Sequence, residues 1–290
     1  MIIIFSSNDS LEIVFNCLSQ NFKISGLVTE PPKPQGRGLK VCPNIAHSFA
    51  KSKGLPVLAP PKFDEAATEK IRDFISDNNI TLGLSSAYGK IIPQRIIDLF
   101  KSGIINIHPS LLPKYRGPSP IVTSILNRDK ESGYSIIKID AGCDTGDLIA
   151  QSKVQVGAND SQADLKKRIL TKVCNDLPEI INGYLSGQIS PSKQKHDQAT
   201  YTQKIKKSDA EILDTDTASQ ALGKILAYSE WPKAFLVIGN ERIIIHRAHK
   251  AKDNLVIDVI QLEGKRAMSF SDFKNGYPKL LTELPDFVNI

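Results

Sequence analysis

The feature that most constrains this chain is the alternation, from its first residues, of short apolar runs with longer amphipathic stretches. Residues 2 to 5, 24 to 28, 80 to 84 and 104 to 107 form short, largely apolar runs rich in isoleucine, leucine and valine. Runs of that length read as strands. Between several of them lie helix-like segments: 63 to 76 has apolar positions near helical spacing, and Ser10 stands where it would cap the first helix. Strand and helix in turn favour an α/β sheet with mainly parallel strands.

A helix-like stretch at 162 to 185 runs into the polar, aperiodic segment Gly187-Gln-Ile-Ser-Pro-Ser-Lys-Gln-Lys-His-Asp-Gln-Ala-Thr200. The expected organisation is therefore a first domain at 1–188, a basic linker at 189–205 and a second domain at 206–290. The last region holds one helical stretch at 217 to 228. Strand-like runs follow at 234 to 239, 242 to 247 and 255 to 262, with Gly239-Asn240 as a hairpin turn, so it reads as a small β-rich domain.

With 290 residues, 41% hydrophobic and 23% charged, the composition is that of an ordinary globular chain of about two domains. No run approaches the roughly 18 apolar residues of a membrane span, and the start lacks the basic residues of a secretory signal, so the expected address is cytoplasmic with no membrane partner. Cys17, Cys42, Cys143 and Cys174 occur singly, which argues against a disulfide framework or a sulfur-ligated zinc. Ser6-Ser-Asn-Asp-Ser10 after the first strand lacks glycine, so neither a dinucleotide fingerprint nor a Walker loop is present.

The formal net charge of +6 is concentrated. Residues 31 to 53 carry Lys33, Arg37, Lys40, Lys51 and Lys53 without an acid; residues 189 to 207 carry Lys193, Lys195, Lys204, Lys206 and Lys207 against Asp197. Together these segments hold +9 and the remainder is net 3 negative. A focused basic surface suits a polyanionic partner, because lysine and arginine release counterions from phosphates.

Chemistry concentrates in Asn106-Ile-His108-Pro-Ser110-Leu111-Leu112-Pro113. Side chains two apart on a strand share a face, so Asn106 and His108 project together while Ile105 and Ile107 point into packing. Pro109 ends the strand, and open α/β sheets bind ligands at the carboxyl ends of their strands. Asp140-Ala-Gly142-Cys-Asp144-Thr-Gly146-Asp147 supplies carboxylates that suit a metal, an orienting role or a solvated turn. Without His or Cys partners at metal spacing, an orienting carboxylate is favoured over a metal site.

Asn106-Ile-His108-Pro-Ser-Leu-Leu-Pro113-Lys-Tyr-Arg-Gly117 followed by Asp144-Thr-Gly-Asp147 resembles the folate-dependent formyltransferases. Glu30-Pro-Pro-Lys-Pro-Gln-Gly36-Arg37-Gly38, Ala87-Tyr88-Gly89, Tyr201-Thr-Gln-Lys-Ile205 and Trp231-Pro232 are similar to the branch acting on methionyl-tRNA. The resemblance implies a Rossmann-like formyltransferase domain, a linker and a small C-terminal β-barrel of OB-like form. It implies formyl transfer from 10-formyltetrahydrofolate to the α-amino group of initiator Met-tRNA by a monomer that needs no metal. Asn106, His108 and Asp144 are then catalytic, Ser110, Leu111, Leu112 and Pro113 border the folate, and Arg37, Lys40, Lys206 and Lys207 contact tRNA. The same trio also suits a 10-formyltetrahydrofolate hydrolase or a transferase acting on a small amine such as an amino sugar nucleotide.

The chemistry can also be reasoned from the residue types. An α-amino group titrates near 7.7 to 8, so stabilising the oxyanion formed on attack is a larger need than a strong base. An Asn106 amide and a His108 N–H are suitable donors, and His108 can move a proton from the attacking to the leaving nitrogen. Trp231 reads as core or interdomain packing rather than a platform for a base.

Overall fold

The computed structural model describes residues 1–35 and 38–289. It divides into two compact units: Met1–Arg116, Gly133–Val154 and Arg168–Tyr201 form the first, and Gly117–Ser132, Gln155–Lys167 and Thr202–Ile290 the second. In chain order the elements begin β1 (Ile2–Phe5), α1 (Ser10–Leu18), β2 (Ile24–Val28), the hairpin β3 (Lys33–Gln35) and β4 (Lys40–Cys42), and α2 (Ile45–Ser52). Then come β5 (Val57–Leu58), α3 (Glu65–Asp77), β6 (Leu82–Ser86), α4 (Gln94–Ile97), β7 (Ile104–His108) and α5 (Pro120–Leu126). β8 (Glu131–Lys138), β9 (Leu148–Gln155), α6 (Gln162–Leu185) and α7 (Ala218–Ala227) follow. The chain closes with β10 (Phe235–Ile238), β11 (Glu241–Ala251), β12 (Asn254–Leu262), β13 (Met268–Ser269), α8 (Phe270–Gly276) and α9 (Pro278–Leu281).

Seven strands form the main sheet in the order β5-β2-β1-β6-β7-β8-β9. The five from β5 to β7 are parallel, and β8 runs antiparallel to β7. Chain order reverses between β1 and β6, the switch point beyond whose carboxyl ends such sheets hold ligands. β1 is central because Ile2, Ile3, Ile4 and Phe5 are each no more than 1% exposed and satisfy both faces. One face packs on Ile71 and Ile75 of α3 and Ile96 and Ile97 of α4, together with Phe63 and Phe100. In α6, Ile169, Val173, Leu177 and Ile181 recur every fourth residue and are all buried, the stripe of a helix laid against a core.

Ser10 does not cap α1. It is the first helical residue, its amide and hydroxyl both donate to Asn8 Oδ1 (3.0 and 2.7 Å), and its buried hydroxyl lies 3.0 Å from Ser86 Oγ. Burial against β6 removes that hydroxyl from the helix end.

In the second unit β10, β11, β12 and β13 form a four-stranded antiparallel sheet in chain order. Gly239, at φ 56°, makes the turn between β10 and β11. The sheet packs on α7 and α8 through Leu222, Ile225, Phe270 and Phe273. This is the small C-terminal β-domain expected from the sequence, and isolated bridges from Glu211 to Phe235 of β10 and from Val288 to Leu255 of β12 extend it. β13 is two residues long and gives way at once to α8, whose first turn is capped by Ser269 accepting from Asp272 N. Trp231 is 51% exposed and so is not core. Among the described residues no helix is long and apolar enough to cross a membrane.

Gly133 of β8 leaves no room for a side chain: a Cβ there would lie 2.1 Å from Ser152 O of β9 and 2.7 Å from Leu111 Cδ2. Gly133→Ala must displace backbone, which costs about 1–3 kcal/mol. The expected result is a lower denaturant midpoint with unchanged m-value, read by circular dichroism.

Candidate active site

β7 places Asn106 and His108 on one face, between Ser85 of β6 and Ile137 and Ser135 of β8, while Ile105 and Ile107 turn the other way and are buried. His108 is 4% exposed. After Pro109 the chain folds back on itself. Ser110 N donates to His108 O (2.9 Å), Ser110 Oγ to Lys114 O (2.6 Å), and Ser135 Oγ to Ser110 O (2.7 Å). Leu112 N donates to Ser135 Oγ at 3.1 Å, and Gln151 Nε2 to Leu112 O at 2.9 Å. The Ser110-to-Pro113 loop is thus rigid before anything binds. Ser110 and Leu112 are 1% and 3% exposed, so the loop's outward surface is its backbone together with half-buried Leu111 and Pro113.

Tyr115, at φ 61°, turns its carbonyl towards His108 Nε2, 2.9 Å away. A carbonyl oxygen only accepts, so Nε2 carries the hydrogen and in the neutral ring Nδ1 holds the lone pair. Nδ1 lies 3.5 Å from Asp144 Oδ2, and Asn106 Nδ2 donates to Asp144 Oδ1 at 3.4 Å. Asn106 and His108, which the sequence places together on one strand face, and Asp144, which it singles out separately, therefore meet at the carboxyl end of β7. Burial pushes the His108 pKa below its usual value; the Asp144 carboxylate and the Tyr115 carbonyl oppose that shift without cancelling it. The ring is a neutral base at pH 7 with a carboxylate ready to stabilise the proton it accepts.

The basic residues singled out in the sequence are surface residues where the structure describes them. Lys40 is exposed on the β3–β4 hairpin of the first unit. Lys206 and Lys207 are exposed in the second unit at the start of a short 3-10 helix, where Lys206 N donates to Asp209 Oδ2 at 2.7 Å. Arg37 lies outside the described residues. Among those described, no three His, Cys, Asp or Glu side chains group as metal ligands. Two residues without an assigned role in the sequence reading also belong to this region. Gln194 hydrogen-bonds to the Asp144 and Gly146 carbonyls and to Arg116, itself inside the quoted motif. Periodicity gives no sign of either, because their partners are backbone groups or lie about 80 residues away in sequence.

This is an α/β enzyme that gathers an imidazole, a side-chain amide and a carboxylate at the carboxyl ends of its sheet strands. The chain belongs to the formyl transferase family: the formyl transferase model matches residues 1–181, and the model of the family's C-terminal domain residues 204–254. It is 32% identical over 300 residues to the methionyl-tRNA formyltransferase of Buchnera aphidicola, covering 94% of this chain and 91% of that one. In fold it is similar to the methionyl-tRNA formyltransferase from Clostridium thermocellum, with a TM-score of 0.62 at 21% identity over 90% of this chain and 97% of that chain. It is also similar to a sugar N-formyltransferase from a Shewanella species, with a TM-score of 0.66 at 18% identity over 86% and 98% of the two chains.

Because the folded-state pKa of His108 is lowered, its neutral form persists below the pH at which a free histidine protonates, near 6.5. The unfolded chain takes up the proton first. The stability held by neutral His108 is thus fully present above about pH 6.5 and is lost as pH falls towards the folded-state pKa. The expected profile of kcat/KM carries a limb near 7.7 to 8 from the attacking amine and a further acid limb from His108 below 6.5, and the second limb is absent from the residual activity of His108→Ala.

Proposed function

We propose that the chain transfers the formyl group of 10-formyltetrahydrofolate to the α-amino group of methionyl initiator tRNA, acting as a cytoplasmic monomer. The observation that carries this reading is the convergence of Asn106, His108 and Asp144 in a formyl transferase chain. The name of the Buchnera relative, 32% identical over 94% of this chain, supports methionyl-tRNA as the acceptor.

The amine attacks the formyl carbon and negative charge develops on the formyl oxygen. Asn106 gives one amide hydrogen to Asp144 and has a second to offer to that oxygen. Since the Nε2–H of His108 goes to Tyr115 O, the base is Nδ1. It accepts the proton released by the attacking nitrogen, the Asp144 carboxylate stabilises the imidazolium, and the proton passes to the departing folate nitrogen. Asp144 acts as a fixed counter-charge. Burial keeps bulk water from screening that charge and from competing with the amine for the formyl carbon.

The flat faces of the donor's rings suit packing on Leu111 and Pro113, and the polar edge of its pterin suits the Ser110-to-Pro113 backbone. Lys40, Lys206 and Lys207, with Arg37, supply phosphate contacts of the kind that hold helical RNA by backbone and shape.

The direct experiment follows labelled formyl from 10-formyltetrahydrofolate with charged initiator tRNA, uncharged tRNA or an amino sugar nucleotide as acceptor, with formate assayed in parallel. Transfer only to charged tRNA is expected; formate release independent of tRNA would instead make the chain a hydrolase, and transfer to the amino sugar a small-amine transferase. Asn106→Ala is expected to lower kcat by about 100-fold, the scale of losing one oxyanion donor. Lys206→Ala with Lys207→Ala should weaken tRNA binding and flatten the plot of log affinity against log salt by about 0.7 to 0.9 per lost contact. An unchanged slope would remove both lysines from the tRNA surface.

A further inference from the structure

Gln194 is 5% exposed and Arg116 1%. A guanidinium only donates, so it fixes which end of the Gln194 amide faces it: Arg116 Nη2 and Nε lie 2.7 and 3.3 Å from Gln194 Oε1. The NH2 end must then face away, where it donates to Asp144 O at 2.9 Å and Gly146 O at 2.7 Å. Both hydrogens and both lone pairs of the amide are engaged. Arg116 is anchored in turn, with Nη2 3.0 Å from His196 Nδ1, Nη1 donating to the Tyr201 hydroxyl at 3.3 Å, and its backbone N donating to Thr200 O at 2.9 Å.

What the amide holds is the backbone that aims the site's carboxylate. Asp144 has φ 54°, a left-handed conformation that a residue with a side chain keeps only where its surroundings impose it. Two residues on, Gly146 is so close to β8 that a Cβ would lie 1.7 Å from Lys138 O. With both carbonyls pinned, the Asp144 Cα–Cβ bond is aimed so that the carboxylate reaches His108 Nδ1 and Asn106 Nδ2.

We propose that Gln194 is a positioning residue for Asp144, with Arg116 setting the orientation of its amide. The segment after α6 thereby becomes part of the working site rather than a tether to the second unit. The kinetic side of this inference rests on the formyl-transfer reading; the titration side does not.

Gln194→Met keeps the length of the side chain and removes its hydrogen bonds. The expected result is a fall in kcat of about 10- to 100-fold, the range seen when the outer partners of a reactive group are lost, with KM for donor and tRNA within twofold. The His108 imidazole, followed by NMR in the folded variant, should also titrate at lower pH than in the wild type, because a loosened carboxylate supports its proton less. Arg116→Met should lower kcat likewise, and the double variant should be little worse in kcat than either single one, as residues acting through one path are not additive. Where Gln194→Met does not fold, Gln194→Asn serves: it keeps a neutral amide, is one methylene too short to reach Arg116 and both carbonyls together, and carries the same two expectations. Wild-type kcat, or a lowered kcat with the His108 titration unmoved, would overturn the inference. Failure of the formyl-transfer reading would show differently, as absence of transfer by the wild type, and the His108 titration would still decide the role of Gln194.

Discussion

His108 is 4% exposed, its Nε2–H is given to the Tyr115 carbonyl at 2.9 Å, and its Nδ1 faces the Asp144 carboxylate at 3.5 Å. Burial lowers the basicity of such a ring, and the two partners return part of it. Much of the first unit serves that balance. β7 is held between β6 and β8, the Ser110-to-Pro113 loop is internally hydrogen-bonded, and Tyr115 adopts positive φ to present its carbonyl. Thr200 then lies along the loop, its N donating to Pro113 O at 3.2 Å and its Oγ1 accepting from Tyr115 N at 2.9 Å. A neutral base in a low-dielectric site with a fixed counter-charge needs no reorganisation of water when it accepts a proton.

The readable part of the site was the part written locally. Asn106-x-His108 before Pro109 states a shared strand face and a strand end in four residues. Asp144 was legible as an orienting carboxylate, but its contact with Asn106 spans 38 residues, and the sheet alone brings the two together. Gln194 was hidden, since its polar, aperiodic surroundings read as linker and its partners include backbone carbonyls without a side-chain signature. In the fold, α6 stood out because a 24-residue helix repeats its apolar stripe many times. β9 did not, because Ala150, Gln151, Ser152 and Lys153 break any apolar run at the sheet edge. β11 continues to Ala251, four residues beyond its expected end, because register shifts around Arg247 interrupt the alternation.

Fold alone leaves the acceptor open, since the tRNA-directed and sugar-directed structures match this chain with TM-scores of 0.62 and 0.66. On the proposed reading, exposed lysines bear on the choice of acceptor. Lys40 in the first unit and Lys206 and Lys207 in the second are all exposed. A small amine gains little from such charges; a polyphosphate gains from each. The division between shared chemistry and separate recognition is physical. A carbonyl-directed site must be rigid and dry, whereas phosphate contacts work on exposed side chains.

The central claim is that His108 works as a neutral base through Nδ1, with its hydrogen on Nε2. Nitrogen-15 NMR of the histidine ring reads both points on the intact chain. The account predicts, at pH 7, a His108 signal with Nε2 protonated and Nδ1 bare, titrating below 6.5. A ring carrying its hydrogen on Nδ1, or one charged at pH 7, would contradict it.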